Sequence, residues 1–551
     1  MVKSRGALTI LILLLSGLSL KAQVNRYVVQ FTDKAGSEYT VDRPEDFLSE
    51  KAILRREKEG VEVGESDLPV SQTYLDQLAA TGVEVYHTSK WMNLALIQCN
   101  VNKVLTVDAL PFVSRVELVA PGARLTKEET ANGRFKSKSA TGRVLATTEF
   151  QNSLLSIQHM HRQGFYGQGV LIAIFDGGFG GVDAVPFFED VRSSNRIIQT
   201  YDFVTNGQQV YTFDDHGTRV FSTIGAKMVQ IEGKDTTLIL GTAPAADFAL
   251  FVTEDVKSEY RIEEYNWLFG AEKADSLGAD IIHTSVGYNV FSDSQMNYTK
   301  AQMDGKTAII TQAANLAADK GIFVVASVGN EGSNSWKKAT APADSPKVLS
   351  VGAVDNSGKL ASFSSIGPTA DGRIKPDVVA LGVFATVGAE SGSLITANGT
   401  SYSAPMVAGF VAGLIQAEPE KTREELFNDI LNSANRSTNP DTLFGYGIPD
   451  FVKATGGKIL SVDDVINDKV KVYPNPFTEN RLSIKINNEL AINSLSVQMF
   501  DANGKMIAQK EYNSYDINDV VIFEFSGTTP GVYFLRLSSS TFEKQVKLLR
   551  Y

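Results

Sequence analysis

The stretch NGTSYSAPMVAG, residues 398–409, sets a serine between a Gly-Thr turn and a run of small and apolar residues. As local structure, Ser401 is a candidate cap at the start of a helix, and Ala404, Ala408 and Gly409 are small enough to let that helix pack close to a sheet. As chemistry, a serine at a helix start stands where free N–H groups and the positive dipole end favour a negative charge. A cap needs only a hydroxyl. A nucleophile also needs a base, because an unactivated hydroxyl is almost wholly protonated at neutral pH. Gly399 admits a sharp turn, and Pro405 is expected in an early helical turn that can spare its N–H.

The chain holds five histidines. His87 falls near the N-terminus, His159 and His161 lie in the polar stretch LLSIQHMHRQG, and His283 sits inside an apolar run. Only His216, in DDHGTRVFSTIGA, stands where a loop opens a helix. A matching acid is Asp176 in LIAIFDGGFGG, at the end of an apolar strand with glycines behind it. Asn330 in VVASVGNEG again follows an apolar run, and its amide suits a developing oxyanion. Taken singly, a loop histidine, a strand-end aspartate and an Asn-Glu-Gly turn are ordinary structural features.

The surroundings point to one architecture. GVLIAIFD, DFALFVT, ADIIHTSVG, GIFVVASVGN and VLSVGAV lack alternation and read as strands buried on both faces. Helical stretches such as RIEEYNWLFGAEKADSLG and AIITQAANLAADKG separate several of them. That pattern predicts an α/β domain with a largely parallel sheet, in which ligands bind beyond the carboxyl ends of the strands.

The order Asp, His, Asn, Ser in FDGG, HGTRV, GNEG and GTSYSAPMVAG resembles the subtilisin-like serine proteases, over roughly residues 155–452. The resemblance implies that Ser401 is the nucleophile, His216 its general base, Asp176 the residue that orients the imidazole, and Asn330 an oxyanion-hole donor with the Ser401 N–H. It implies substrate binding along Ser285, Val286 and Gly287 on one side and Ala326 and Gly329 on the other, although two core strands have the same composition. It calls for no cofactor in catalysis and leaves room for structural calcium, for which no ligand set is legible. Four features depart from the family pattern. Gly177 replaces a hydroxyl residue after the acid, His283 replaces an asparagine and reads as a core histidine, and Tyr288 replaces a glycine and is a candidate either to narrow the pocket or to reach substrate. The segment FSDSQMNYTKAQMDGKT, 291–307, is unusually long and is a candidate lid or cation loop.

The flanks divide the chain further. Residues 1–22 have the charged, apolar and small-residue order of a signal peptide, with an N-terminal membrane anchor as the alternative. Residues 23–121 read as a small β-α-β-β-α-β, ferredoxin-like unit, which resembles the inhibitory propeptide of these proteases. A polar linker at 122–148 is the expected place of a maturation cut. The catalytic domain is expected at 149–456, and a linker at 457–469 precedes short alternating strands over 470–551 that predict an all-β sandwich. VYPNPF, DANGK, GVYFLRL and KQVKLLRY in that segment resemble the type IX secretion sorting domain of Bacteroidota. The expected location is extracellular or on the outer-membrane surface, with the secretion machinery as a partner.

A net charge of −11 without a basic block argues against nucleic acid as a partner. Cys99 is the only cysteine, so the chain can form no internal disulfide and no thiolate metal cluster. The expected function is a secreted serine endopeptidase made as a zymogen, with polypeptide substrates and its own propeptide as intramolecular inhibitor. The alternatives are a catalytically inactive surface-binding protein that keeps the fold and a hydrolase of esters or lipids. The second lacks support, because GTSYS has no second glycine of the G-x-S-x-G elbow.

Overall fold

The computed structural model describes residues 24–122, 148–457 except 213 and 233–234, and 470–551 except 487–493, 503, 514–519 and 540–541. The expected signal peptide and almost all of the two expected linkers lie outside the described residues.

The central unit is built on seven parallel strands. Their spatial order is Val378–Leu381, Leu349–Val354, Phe323–Ser327, Ile281–Thr284, Leu171–Asp176, Asp247–Val252 and Ile197–Asp202. Five of these are the continuous apolar runs read from the sequence, and every residue of four of those five is buried. The two edge strands carry weaker signals. Val378–Leu381 has only four residues, and Ile197–Asp202 is half-buried with polar residues inside it. On one face the helices His216–Gly225 and Thr400–Ala417 pack together, with Val220 and Ile224 in the same apolar cluster as Met406 and Phe410. The opposite face carries Ile262–Leu277 and Ile309–Asp319 around Trp267, Phe175 and Ala314.

The N-terminal unit is a four-stranded antiparallel sheet in the order Glu84–Ser89, Leu94–Asn100, Val24–Phe31, Val113–Pro121. Between its first two strands in sequence it has two longer helices, Glu50–Glu59 and Gln72–Ala80, where one was expected. The second buries only Leu78, so its sequence shows little apolar periodicity. The C-terminal unit stacks the antiparallel sheet of Val470–Tyr473, Arg481–Ile486 and Val520–Glu524 with that of Met506–Asn513, Ser494–Asp501, Gly531–Ser539 and Glu543–Arg550. The two sheets share one core that includes Leu482, Phe523 and Leu535. Alternating burial along its strands gives the sandwich its sequence signature.

The N-terminal unit is fastened to the central one through buried charge. Asp275, on the Ile262–Leu277 helix and fully buried, accepts from Arg55 at 2.5 Å, Arg56 at 2.9 Å and Lys90 at 3.3 Å. Arg56 also pairs with Asp67 at 3.0 Å, and Asp67 accepts from Lys320 at 2.9 Å. Beside them Glu272 accepts from the Ser89 hydroxyl and from the Lys90 and Trp91 N–H groups at 2.8 and 3.0 Å. Burial raises the Glu272 carboxyl to about 7, with Lys90 opposing the shift.

Removing one member of such a buried set strands the others without a partner, at a cost of about 3–5 kcal/mol. Asp275→Ala is therefore expected to release the N-terminal unit at lower urea than wild type, read by limited proteolysis across a denaturant series. An unchanged release point would contradict this account of the interface.

Candidate active site

The three central strands end side by side, and each delivers a residue at its carboxyl end. Asp176 is the last residue of Leu171–Asp176, Ser285 follows Ile281–Thr284, and Asn330 follows Phe323–Ser327 by three residues. Asp176 is fully buried. Its two carboxylate oxygens lie 2.9 and 3.0 Å from Nδ1 of His216, and the Gly177 N–H donates to Oδ1 at 2.7 Å. The bond that a hydroxyl side chain at position 177 would supply is thus supplied by backbone.

His216 opens its helix, 5% exposed, and its own N–H donates to Asp214 Oδ1 at 2.6 Å. Close seating of this helix against the strand end requires Gly217. A Cβ there would meet the Gly178 carbonyl oxygen at 2.4 Å and the Asp176 Cβ at 3.0 Å. Burial opposes the charged imidazole, yet the Asp176 carboxylate, its hydrogen bond and Asp214 outweigh burial and the nearby Arg219, so the His216 pKa is raised. The Tyr402 ring lies 6.0 Å from the imidazole, tilted by 44°.

Ser401 is the second residue of Thr400–Ala417 and is 7% exposed. Pro405 lies deeper in this helix than an N1 proline. Its missing N–H is the one that would bond to the carbonyl of residue 401. The Ser285 hydroxyl donates to that carbonyl instead, at 3.0 Å, and Nε2 of His283 lies 2.9 Å from the same hydroxyl. In return the Ser401 hydroxyl donates to the Ser285 carbonyl at 3.5 Å. With the Ser285 proton committed to Ser401, Nε2 of His283 must be the donor in their bond. Burial holds this histidine neutral, with a pKa lowered to about 3.

Asn330 is exposed, and its Oδ1 accepts from the Thr400 N–H at 2.9 Å and the Thr400 hydroxyl at 3.0 Å. Its carbonyl oxygen being held by Thr400, the amide NH₂ is left to face outward beside the helix start. The first N–H groups of that helix, Ser401 among them, lack intrahelical acceptors. Asp176, His216, Asn330, Ser401 and Ser285 are thus brought to one edge of the sheet.

The remaining expected binding residues divide. Gly287 is exposed and Gly329 half-buried, whereas the side chains of Val286 and Ala326 lie in the core, so those two offer only backbone. Tyr288 does not narrow the cleft. It is fully buried, its hydroxyl donates to Glu254, and its ring stacks on Phe291 at 5.9 Å. Segment 291–307 is no lid, since Met296, Tyr298 and Met303 are buried in the core and Tyr298 donates to Glu264 at 2.8 Å. Among the described residues no group of three or more His, Cys, Asp or Glu side chains is placed to hold a metal ion, and none is assigned to calcium. His87 and His161 meet the backbone carbonyls of Phe203 and Thr242. Sequence reasoning missed the pairing of Ser285 with the Ser401 carbonyl. Its signal was Pro405, four residues after the serine.

Comparison with known proteins agrees with this geometry. The subtilase family profile matches residues 167–447, the Bacteroidota peptidase S8 propeptide domain matches 26–135, and the secretion system C-terminal sorting domain matches 471–549. Subtilisin NAT of Bacillus subtilis subsp. natto is 31% identical over 292 residues, 52% of this chain and 66% of that protein. A subtilisin of Bacillus pumilus is 31% identical over 292 residues, 92% of its length. Subtilisin-like protease SBT6.1 of Arabidopsis thaliana is 28% identical over 297 residues, 25% of its length. The sorting domain marks the chain for export, to the medium or the cell surface. No helix among the described residues is long and apolar enough to cross a membrane. A parallel sheet that gathers an aspartate-paired histidine and a helix-start serine, together with a profile match over half of its length, places the chain in the subtilase family.

Proposed function

We propose that the chain is a secreted serine endopeptidase that hydrolyses peptide bonds through an acyl-enzyme. The observation that carries this reading is the bidentate contact of Asp176 with Nδ1 of His216, which leaves Nε2 as the imidazole's working nitrogen. Ser401 Oγ attacks the scissile carbonyl while His216 Nε2 takes its proton. The oxyanion is received by the Ser401 N–H and the Asn330 amide. His216 then protonates the leaving amine, and water, deprotonated by the same nitrogen, releases the acyl group. Asp176 holds the imidazole in place and stabilises the imidazolium.

The same reading makes residues 23–121 an intramolecular inhibitor that is cut away within 122–148, and 149–456 the catalytic domain. The signal peptide at 1–22 and the sorting domain at 470–551 direct export.

The test is hydrolysis of a chromogenic peptide by the purified full chain, after incubation that lets it process itself. Ser401→Ala is expected to abolish both hydrolysis and processing. Hydrolysis that survives this substitution overturns the reading, and an inert wild type favours the surface-binding alternative. Asn330→Ala is expected to process slowly and to lower kcat by about 10²–10³, with a small change in KM. An unaltered kcat would remove Asn330 from the oxyanion site.

The raised His216 pKa fixes a pH dependence. The base must be neutral, so kcat/KM should rise with pH through a midpoint above the ordinary value of about 6.5. Stability runs the other way. The folded state favours the protonated imidazole, so its contribution is full below about pH 6.5 and is lost as pH rises through the raised pKa. A rate flat from about pH 5 to 9 would contradict the assignment of the base.

A further inference from the structure

Strand Ile281–Thr284 alternates between two apolar layers. Ile281 belongs to the cluster beneath helices His216–Gly225 and Thr400–Ala417, and Ile282 to the cluster on the opposite face. The two-residue period therefore turns His283 toward the helix that carries Ser401. Its register neighbours are Ile174 and Val325, both members of the same apolar cluster. A fully buried imidazole in that setting is costly unless its N–H finds an acceptor. The acceptor is the Ser285 hydroxyl oxygen, 2.9 Å from Nε2. Among the described residues Nδ1 has no hydrogen-bond partner, so the single proton of the neutral ring belongs on Nε2.

A serine hydroxyl rotates to suit its surroundings, and a donor in contact with its oxygen limits where its own proton points. Here the His283 N–H takes one side of the Ser285 oxygen, and the hydroxyl proton is left for the Ser401 carbonyl at 3.0 Å. That carbonyl has no helical donor, since Pro405 stands where the N–H would be. The bond of the Ser401 hydroxyl itself, to the Ser285 carbonyl, is long at 3.5 Å. The place of Ser401 Oγ is thus set mainly through its backbone. His283 and Ser285 belong to the strand paired with Leu171–Asp176, so the relay fixes that backbone relative to Asp176 and the imidazole it holds.

We propose that His283 is a positioning residue for the reaction: through the Ser285 hydroxyl it sets the Ser401 carbonyl, and with it the approach of Ser401 Oγ to the His216 imidazole. This rests on the protease reading above. The role needs an N–H at the Nε2 position and no charge, so His283 itself moves no proton during turnover.

The test is kcat on a chromogenic peptide for the self-processed full chain, with each rate divided by the amount of Ser401 that a fluorophosphonate finally labels. His283→Phe keeps a planar ring and removes the N–H. It is expected to lower kcat about ten- to hundredfold with KM within about twofold of wild type, the loss that a small misplacement of a reacting atom produces. His283→Gln restores an N–H at similar reach and is expected to recover most of that loss, which a role in packing alone would not allow. In a Ser285→Ala background, His283→Phe is expected to cost nothing further, because the route to Ser401 is already cut. An unaltered kcat in His283→Phe, equal losses in His283→Phe and His283→Gln, or a full additional loss in the Ser285→Ala background would overturn the inference and leave the protease reading standing. If His283→Phe does not fold, Ser285→Ala alone breaks the same relay, and a wild-type kcat there overturns the inference. A wild type that neither hydrolyses peptide nor takes the label would overturn both.

Discussion

A carboxylate without solvent is the constraint on which the site depends. Asp176 is fully buried at the end of a central strand, and an unpaired ion there would cost several kcal/mol. The Gly177 N–H and the His216 imidazole meet that cost together, and the imidazole contact forms only when helix His216–Gly225 starts hard against the strand end. Gly217 permits that approach. The imidazole is consequently fixed in tautomer and in direction, and its charged form is favoured despite burial.

The serine is fixed by a second constraint of different origin. Pro405 leaves the Ser401 carbonyl without its helical donor, and the Ser285 hydroxyl takes the vacant place with His283 behind it. Because Ser285 also begins the strand end that leads to Gly287, one side chain ties the Ser401 backbone to one wall of the cleft. Asn330 ties the other wall to the helix through Thr400. The two strand ends and the helix start thus form one hydrogen-bonded frame around Ser401.

Much of this was legible in sequence because burial on both faces writes continuous apolar runs. Strands such as Leu171–Asp176 and Phe323–Ser327 are of that kind, and the polar residue that follows each run marks its carboxyl end. The edge strand Ile197–Asp202 and helix Gln72–Ala80 were not legible, because half-exposed elements mix polar residues into their pattern, and Val378–Leu381, though buried, is only four residues long. FDGG, HGTRV and GTSYSAP taken together marked Asp176, His216 and Ser401, which the fold brings to one end of the sheet. Tyr288 and segment 291–307 were misjudged because their partners are distant in sequence. Glu254 and Glu264 lie on or beside other elements, and only the fold brings them under those residues.

The claim that Ser401 is activated by a histidine held on Asp176 is tested most directly by covalent capture. The full chain, after self-processing, is incubated with a fluorophosphonate, digested, and mapped by mass spectrometry, beside an Asp176→Asn variant. The account predicts stoichiometric modification of Ser401 in wild type and labelling of the variant slower by orders of magnitude. Label on another residue, or equal labelling rates in the two proteins, would contradict it.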